Sequence, residues 1–135
     1  SNINKIKINS SDKINIIKGV NIIKSLSKFD IGQSVVINNG YVLAIEGPEG
    51  TDETIKRSLL LLKKYKLKNK SILVKFPKAN QDLRIDLPTI GFDTIKNCIK
   101  ANIKGIAVKR SQNIILDKDK IINFIKKNNF FIISI

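Results

Sequence analysis

The segment Gln81-Asp82-Leu83-Arg84-Ile85-Asp86-Leu87-Pro88 alternates polar and apolar residues. An extended backbone therefore puts Asp82, Arg84 and Asp86 on one face and Leu83, Ile85 and Leu87 on the other. Pro88 favours that conformation by keeping Leu87 out of the helical region. Two carboxylates beside a guanidinium suit a divalent metal and a phosphate, because Mg²⁺ takes one or two carboxylates together with phosphate oxygens and arginine binds phosphate through paired hydrogen bonds. The same ladder would also serve as the solvated face of an edge strand. Four extended residues separate the Cα atoms of Asp82 and Asp86 by roughly 13 Å. Both can hold one ion only if the strand bends; otherwise one is a ligand or base and the other orients Arg84 or a lysine.

A second group, Glu46-Gly47-Pro48-Glu49-Gly50-Thr51-Asp52, precedes a helical pattern, so backbone N–H groups and glycines offer a place for an anion. Its acids, Glu46, Glu49 and Asp52, suit a metal, a sugar hydroxyl, or simply the positive end of the helix dipole. Lys75 ends a predicted strand, and Thr89-Ile90-Gly91-Phe92-Asp93 opens another helix. In α/β sheets ligands gather where strand C-termini meet helix N-termini, which is where all these segments fall. Cys98, beside Ile95 and Ile99 on a helical pattern, reads as a buried, inert thiol.

Composition narrows the chemistry. With 135 residues, 42% of them apolar, the chain has room for one domain with one sizeable core. A single cysteine forms no internal disulfide, and the absence of histidine excludes His-based zinc sites, Ser/His and Cys/His triads and histidine acid–base catalysis. No apolar run approaches a membrane span and Ser1-Asn2-Ile3-Asn4 opens no signal-peptide pattern, so a cytoplasmic chain is expected. The formal charge of +14 would ordinarily point to nucleic acid or an anionic membrane. Yet 27 Ile, 22 Lys and 15 Asn fit a compositional bias toward AT-rich codons, only three of the basic residues are arginine, and aromatic residues for base stacking are few. The densest cluster, Lys63, Lys64, Lys66, Lys68 and Lys70, falls at a predicted helix C-terminus, where cations offset the dipole.

The elements that must position these groups follow from periodicity. Apolar residues Ile14 through Leu26 predict a helix over 11–28, with Ser10, Ser11 or Asp12 as its cap and Gly19 weakening it slightly. Ser34–Ile37 and Tyr41–Ile45 flank Asn38-Asn39-Gly40 and read as a hairpin. Thr51 or Asp52 caps a helix to Tyr65; a strand covers 71–76; and the connection from Pro77 to Gly91 is long enough to be functional. Asp93 starts a helix to Asn102, strands follow at 105–109 and 114–116, Asp117 starts a helix to Asn128, and Phe130–Ile135 closes as a strand. The order is α-β-β-α-β-loop-α-β-β-α-β: an α/β layered domain with a mixed sheet. Residues 1–10 read as a linker or tag remnant and 11–135 as the domain.

Several blocks in order, Asp30-Ile31-Gly32-Gln33-Ser34-Val35-Val36, Val42-Leu43-Ala44-Ile45-Glu46 with Glu49-Gly50-Thr51-Asp52, Lys75, Gln81 through Gly91, and Gly105-Ile106-Ala107-Val108, resemble the C-terminal domain of the LpxI family of UDP-2,3-diacylglucosamine pyrophosphatases. The resemblance implies hydrolysis of that substrate's pyrophosphate, with water attacking the α-phosphorus, to UMP and 2,3-diacylglucosamine 1-phosphate (lipid X) in lipid A biosynthesis. It also implies a divalent metal cofactor, Mg²⁺ being expected, on Asp86 or Asp82. Asp82 and Asp86 are the expected catalytic residues; Arg84 and Lys75 are placed on phosphate, and Gln33, Glu46, Glu49, Thr51, Asp52, Gln81 and Thr89 line the substrate site. The family's N-terminal domain is an expected partner that lies outside this chain, so the isolated domain is expected to turn over little and to expose a docking patch. Peripheral contact with the inner membrane is a further expectation from the acylated substrate and the basic surface. The alternative is a basic nucleic-acid-binding domain without catalysis, which leaves the Asp/Arg/Asp ladder without purpose and would show a steep salt dependence of binding.

Overall fold

The computed structural model describes residues 6–77, 89–110, 113–114 and 118–135. The ladder residues Gln81, Asp82, Arg84 and Asp86 lie outside these. The elements are α1 (Ser10–Ser27), β1 (Ser34–Asn38), β2 (Tyr41–Ile45), α2 (Thr51–Lys64), β3 (Ser71–Lys75), β4 (Thr89–Ile90), α3 (Phe92–Lys100), β5 (Ile103–Val108), β6 (Asn113–Ile114), α4 (Lys118–Lys127) and β7 (Phe131–Ser134). The expected α/β order is therefore observed, with the two-residue β4 added at the end of the long connection, where it pairs in parallel with β6.

Five strands form one mixed sheet in the order β2-β1-β3-β5-β7. β1 is antiparallel to both its neighbours, while β3, β5 and β7 are parallel, so β1 alone runs against the rest. The hairpin turn has Asn39 and Gly40 at φ 47° and 85°, the left-handed geometry that matches strand twist in a tight hairpin.

Alternation sorts the strand residues onto two buried faces. Val36, Leu73, Ile106 and Ile132 meet α2, α3 and α4 through Ile55, Ile95 and Ile125. Val35, Ile37, Ile72 and Val74 meet α1 through Ile16 and Ile23, with Ile6 and Ile8 packed alongside. Both faces being covered explains why β1 and β3 read as continuous apolar runs.

α1 begins one residue earlier than its sequence pattern implies, because Asn9 is the cap. The Asn9 side chain accepts the Asp12 N–H at 2.8 Å and the Asn9 N–H donates to the Asp12 carboxylate at 3.2 Å, a reciprocal capping box. Gly19, a cost of about 1 kcal/mol to an isolated helix, has a packing reason: a β-carbon there would lie 2.5 Å from Val74 Cγ2. Its absence lets α1 approach β3. One helix on this face leaves Ile14 and Ile17 exposed on its outer side. None of the described helices is long and apolar enough to cross a membrane.

Candidate functional site

The sheet direction brings the C-terminal ends of β2, β3 and β5 and the N-terminal end of β1 to one edge. Ser34 stands opposite Lys75, and Lys75 opposite Val108, which fixes the three central strands in register there. α2 and α3 both begin at this edge, at Gly50 and Gly91, and neither first turn receives a side-chain cap. The free N–H groups of two helix N-termini thus point the same way as the strand ends, an arrangement that accepts anions.

Glu46, five residues before the first residue of α2, is 6% exposed and holds the edge together. Its Oε2 accepts the Gln33 N–H at 3.0 Å, and its Oε1 accepts the Ser34 hydroxyl at 3.1 Å and the Thr51 hydroxyl. The Glu46 N–H in turn donates to the Ser34 carbonyl at 2.9 Å, and the Gln33 carbonyl accepts the Phe76 N–H at 2.8 Å. One carboxylate therefore ties the start of β1, the end of β2 and the start of α2. Thr51, expected as a helix cap, instead turns its hydroxyl onto Glu46, since a buried carboxylate is costly unless donors meet it. Three of the four lone-pair positions of this carboxylate are filled.

Glu49 serves the same loop from outside. Its Oε1 accepts Arg57 Nη2 at 2.8 Å and the Thr54 hydroxyl at 3.0 Å, while Arg57 Nη2 also donates to the Ile45 carbonyl at 2.8 Å. The Arg57 hydrogen bond, aided by Thr54, lowers the Glu49 pKa from 4.5 to about 2. Asp52 is exposed on the first turn of α2, and Lys75 is half-buried at the end of β3. Both lie within electrostatic reach of the buried Cys98 thiol on α3. Burial pushes its pKa up, Asp52 adds to the shift and Lys75 opposes it. Asp52, Lys75 and the buried thiol thus set α2, β3 and α3 around one point. Thr89 lies on β4, opposite Asn113, at the entry to α3.

An open cleft of about 550 Å³ runs beside this knot, lined by Gln33, Glu46, Thr51, Gly50, Asp30 and Ile31 among others. The structure thus brings Gln33, Glu46 and Thr51 together at the cleft and sets Asp52 and Lys75 near Cys98. Glu49 is turned toward Arg57. Among the described residues no three carboxylate or thiol groups gather in the manner of a metal centre. Glu46 is a poor ligand, since its oxygens already meet three donors, and Asp82 and Asp86 lie outside the described residues. Sequence reasoning missed Ser34 and Arg57. Only Arg57 carried a signal, as one of three arginines in a lysine-rich chain placed in the second turn of a helix after an acidic loop.

The chain matches the family model described as the LpxI C-terminal domain over residues 1–133. It is 31% identical over 121 residues to the UDP-2,3-diacylglucosamine pyrophosphatase LpxI of Caulobacter vibrioides, across 87% of this chain and 43% of that protein. It therefore spans less than half the length of that relative.

Proposed function

The chain belongs to the LpxI family as its C-terminal domain, and from that membership we propose that it forms the catalytic half of a hydrolase of lipid A biosynthesis. The reaction is cleavage of the pyrophosphate of UDP-2,3-diacylglucosamine. Water adds to the α-phosphorus, the bond from that phosphorus to the bridging oxygen breaks, UMP keeps the water oxygen and lipid X leaves with the bridging oxygen. The observation that carries this reading is the convergence of Lys75 and two uncapped helix N-termini on one sheet edge beside the Glu46 knot.

Each part has a physical task. A pyrophosphate that gains charge in the transition state is stabilised by fixed donors, which the N–H groups opening α2 and α3 and the Lys75 ammonium supply. Gln33, anchored through its own backbone to Glu46 and Phe76, presents its side chain at the cleft without backbone drift. In this proposal Asp82 or Asp86 orients the attacking water, and Arg84 pairs with phosphate. A divalent cation, Mg²⁺ in this reading, would neutralise phosphate charge and would be held by Asp82 or Asp86.

The family's N-terminal domain completes the site. The exposed apolar side chains Ile14 and Ile17 on α1 and Phe29 and Ile31 beyond its end, the last at the cleft, are proposed as its docking face. The reading places the protein in the cytoplasm, with its basic surface against anionic lipid. The test is release of UMP from UDP-2,3-diacylglucosamine with Mg²⁺, by this chain and by a longer protein carrying the N-terminal domain. Activity confined to the longer protein is expected, since correct positioning contributes several kcal/mol of barrier reduction. No release by either would overturn the proposal.

A further inference from the structure

The opposite edge of the sheet carries a second polar cleft, of about 350 Å³, to which the activity above assigns nothing. It is lined by Asp12 and Asn15 of α1, Lys68 and Lys70 of the turn before β3, and Lys104 of β5. The five residue steps from Lys70 to Lys75 put about 16 Å between it and the Lys75 edge. Asp12 is spent internally: its carboxylate pairs with Lys104 at 2.7 Å and receives the Asn9 N–H. Lys68 and Lys70 have no ion-pair partner among the described residues. Their turn is nonetheless built in place, since the buried Asn38 donates to the Asn69 carbonyl between them at 2.7 Å and to the Ser71 hydroxyl at 3.0 Å.

Asn15 is the observation that turns a basic turn into a site. It is 7% exposed and lines the cleft. Its Oδ1 accepts the Gly40 N–H at 3.0 Å, which fixes the amide orientation and leaves Nδ2 as the group still able to donate. That Nδ2 has no partner among the described residues. A buried donor without an acceptor is costly and marks a place where a ligand acceptor is missing. The two uncompensated ammonium groups match the nearly two negative charges of a phosphomonoester near neutral pH, and lysine serves phosphate as a point charge.

We propose that this cleft binds the phosphate of a small soluble phosphomonoester, with Asn15 Nδ2 donating to one oxygen and Lys68 and Lys70 neutralising the charge. A volume near the lower end of small-ligand sites admits the phosphate and the first part of its ester.

The test is an amide NMR titration of this chain with inorganic phosphate, against chloride at matched ionic strength. Saturable shifts of the Asn15 side-chain amide and of residues 68–70 are expected. Lys68→Gln with Lys70→Gln should weaken them about tenfold or more. Asn15→Asp keeps the acceptor for Gly40 and replaces the donor with a negative charge, so it should abolish them. The lysine pair is exposed, and its replacement leaves the fold intact if Asn15→Asp does not. The proposal is overturned by shifts confined to the Gln33–Thr51 edge, by unchanged affinity in the double lysine variant, or by binding to phosphatidic acid vesicles with no saturable response to inorganic phosphate.

Discussion

Gly32 and Glu46 meet backbone to backbone: a β-carbon at Gly32 would lie 2.2 Å from the Glu46 carbonyl oxygen and 2.9 Å from its carbonyl carbon. The obstruction is main chain, not the end of a flexible side chain, so it has little freedom to give way. The approach of the chain entering β1 to the end of β2 therefore depends on glycine.

Gly32→Ala should lower stability by about 1–3 kcal/mol, the usual range for overpacking. It should appear in urea unfolding as a lower midpoint with an unchanged slope. An alanine variant as stable as the parent would mean that this contact is not held in solution.

Glu46→Gln and Glu46→Ala should separate sharply. The glutamine amide can keep its oxygen on the Gln33 N–H and turn its NH₂ toward the Ser34 and Thr51 hydroxyls, which rotate to accept, so a loss of about 1 kcal/mol is expected. Alanine strands all three donors and should cost about 3 kcal/mol. Equal stability of the two variants in chemical denaturation would contradict the assignment of Glu46 as the tie between β1, β2 and α2.

The Glu49–Arg57 pair makes a pH prediction. The folded-state pKa is depressed from 4.5 to about 2, so the folded chain holds the proton less tightly than the unfolded one. The contribution to stability is present above pH 4.5, fades as pH falls, and is gone below about pH 2. Comparing the parent with Glu49→Gln across this range should show a gap that closes on acidification; a gap that widens there would refute it.

For activity, Asp82→Ala and Asp86→Ala in the longer protein should each be assayed for UMP release. At least one should lose about a hundredfold or more, the scale of losing a group that activates water or holds metal. Lys75→Ala should lose about tenfold to a hundredfold through weaker charge stabilisation. Full activity in both aspartate variants would remove the ladder from the mechanism.

Periodicity and turn chemistry mark every described element except the two-residue β4, because a 3.6-residue or two-residue repeat is written into local sequence. The hairpin is the clearest instance: Asn39-Gly40 supplies the positive φ that its turn requires. The grouping of Gln33 with Glu46 and Thr51 rests on the family resemblance, since nothing in the local pattern around Gln33 marks it for a site. What sequence did not disclose were relations between distant or backbone atoms. Arg57 reaches back to Glu49 and the Ile45 carbonyl, Lys104 of β5 finds Asp12 of α1, and Gly19 is explained only by the side chains of Val74 and Ile37. The lysine cluster showed the limit most directly. Lys63 and Lys64 occupy the last turn of α2 as expected, whereas Lys68 and Lys70 belong to a cleft that no periodicity marks.

The donors to Glu46 come from no further than thirteen residues before it and five after it. A hairpin of this kind closes in about 1–10 μs, whereas the parallel pairings of β3, β5 and β7 each wait on an intervening helix. The reversed β1 thus makes half of the candidate edge a product of local folding. By the same contact-order argument, Lys75 and the start of α3 are expected to dock later, onto a β1–β2 template formed first.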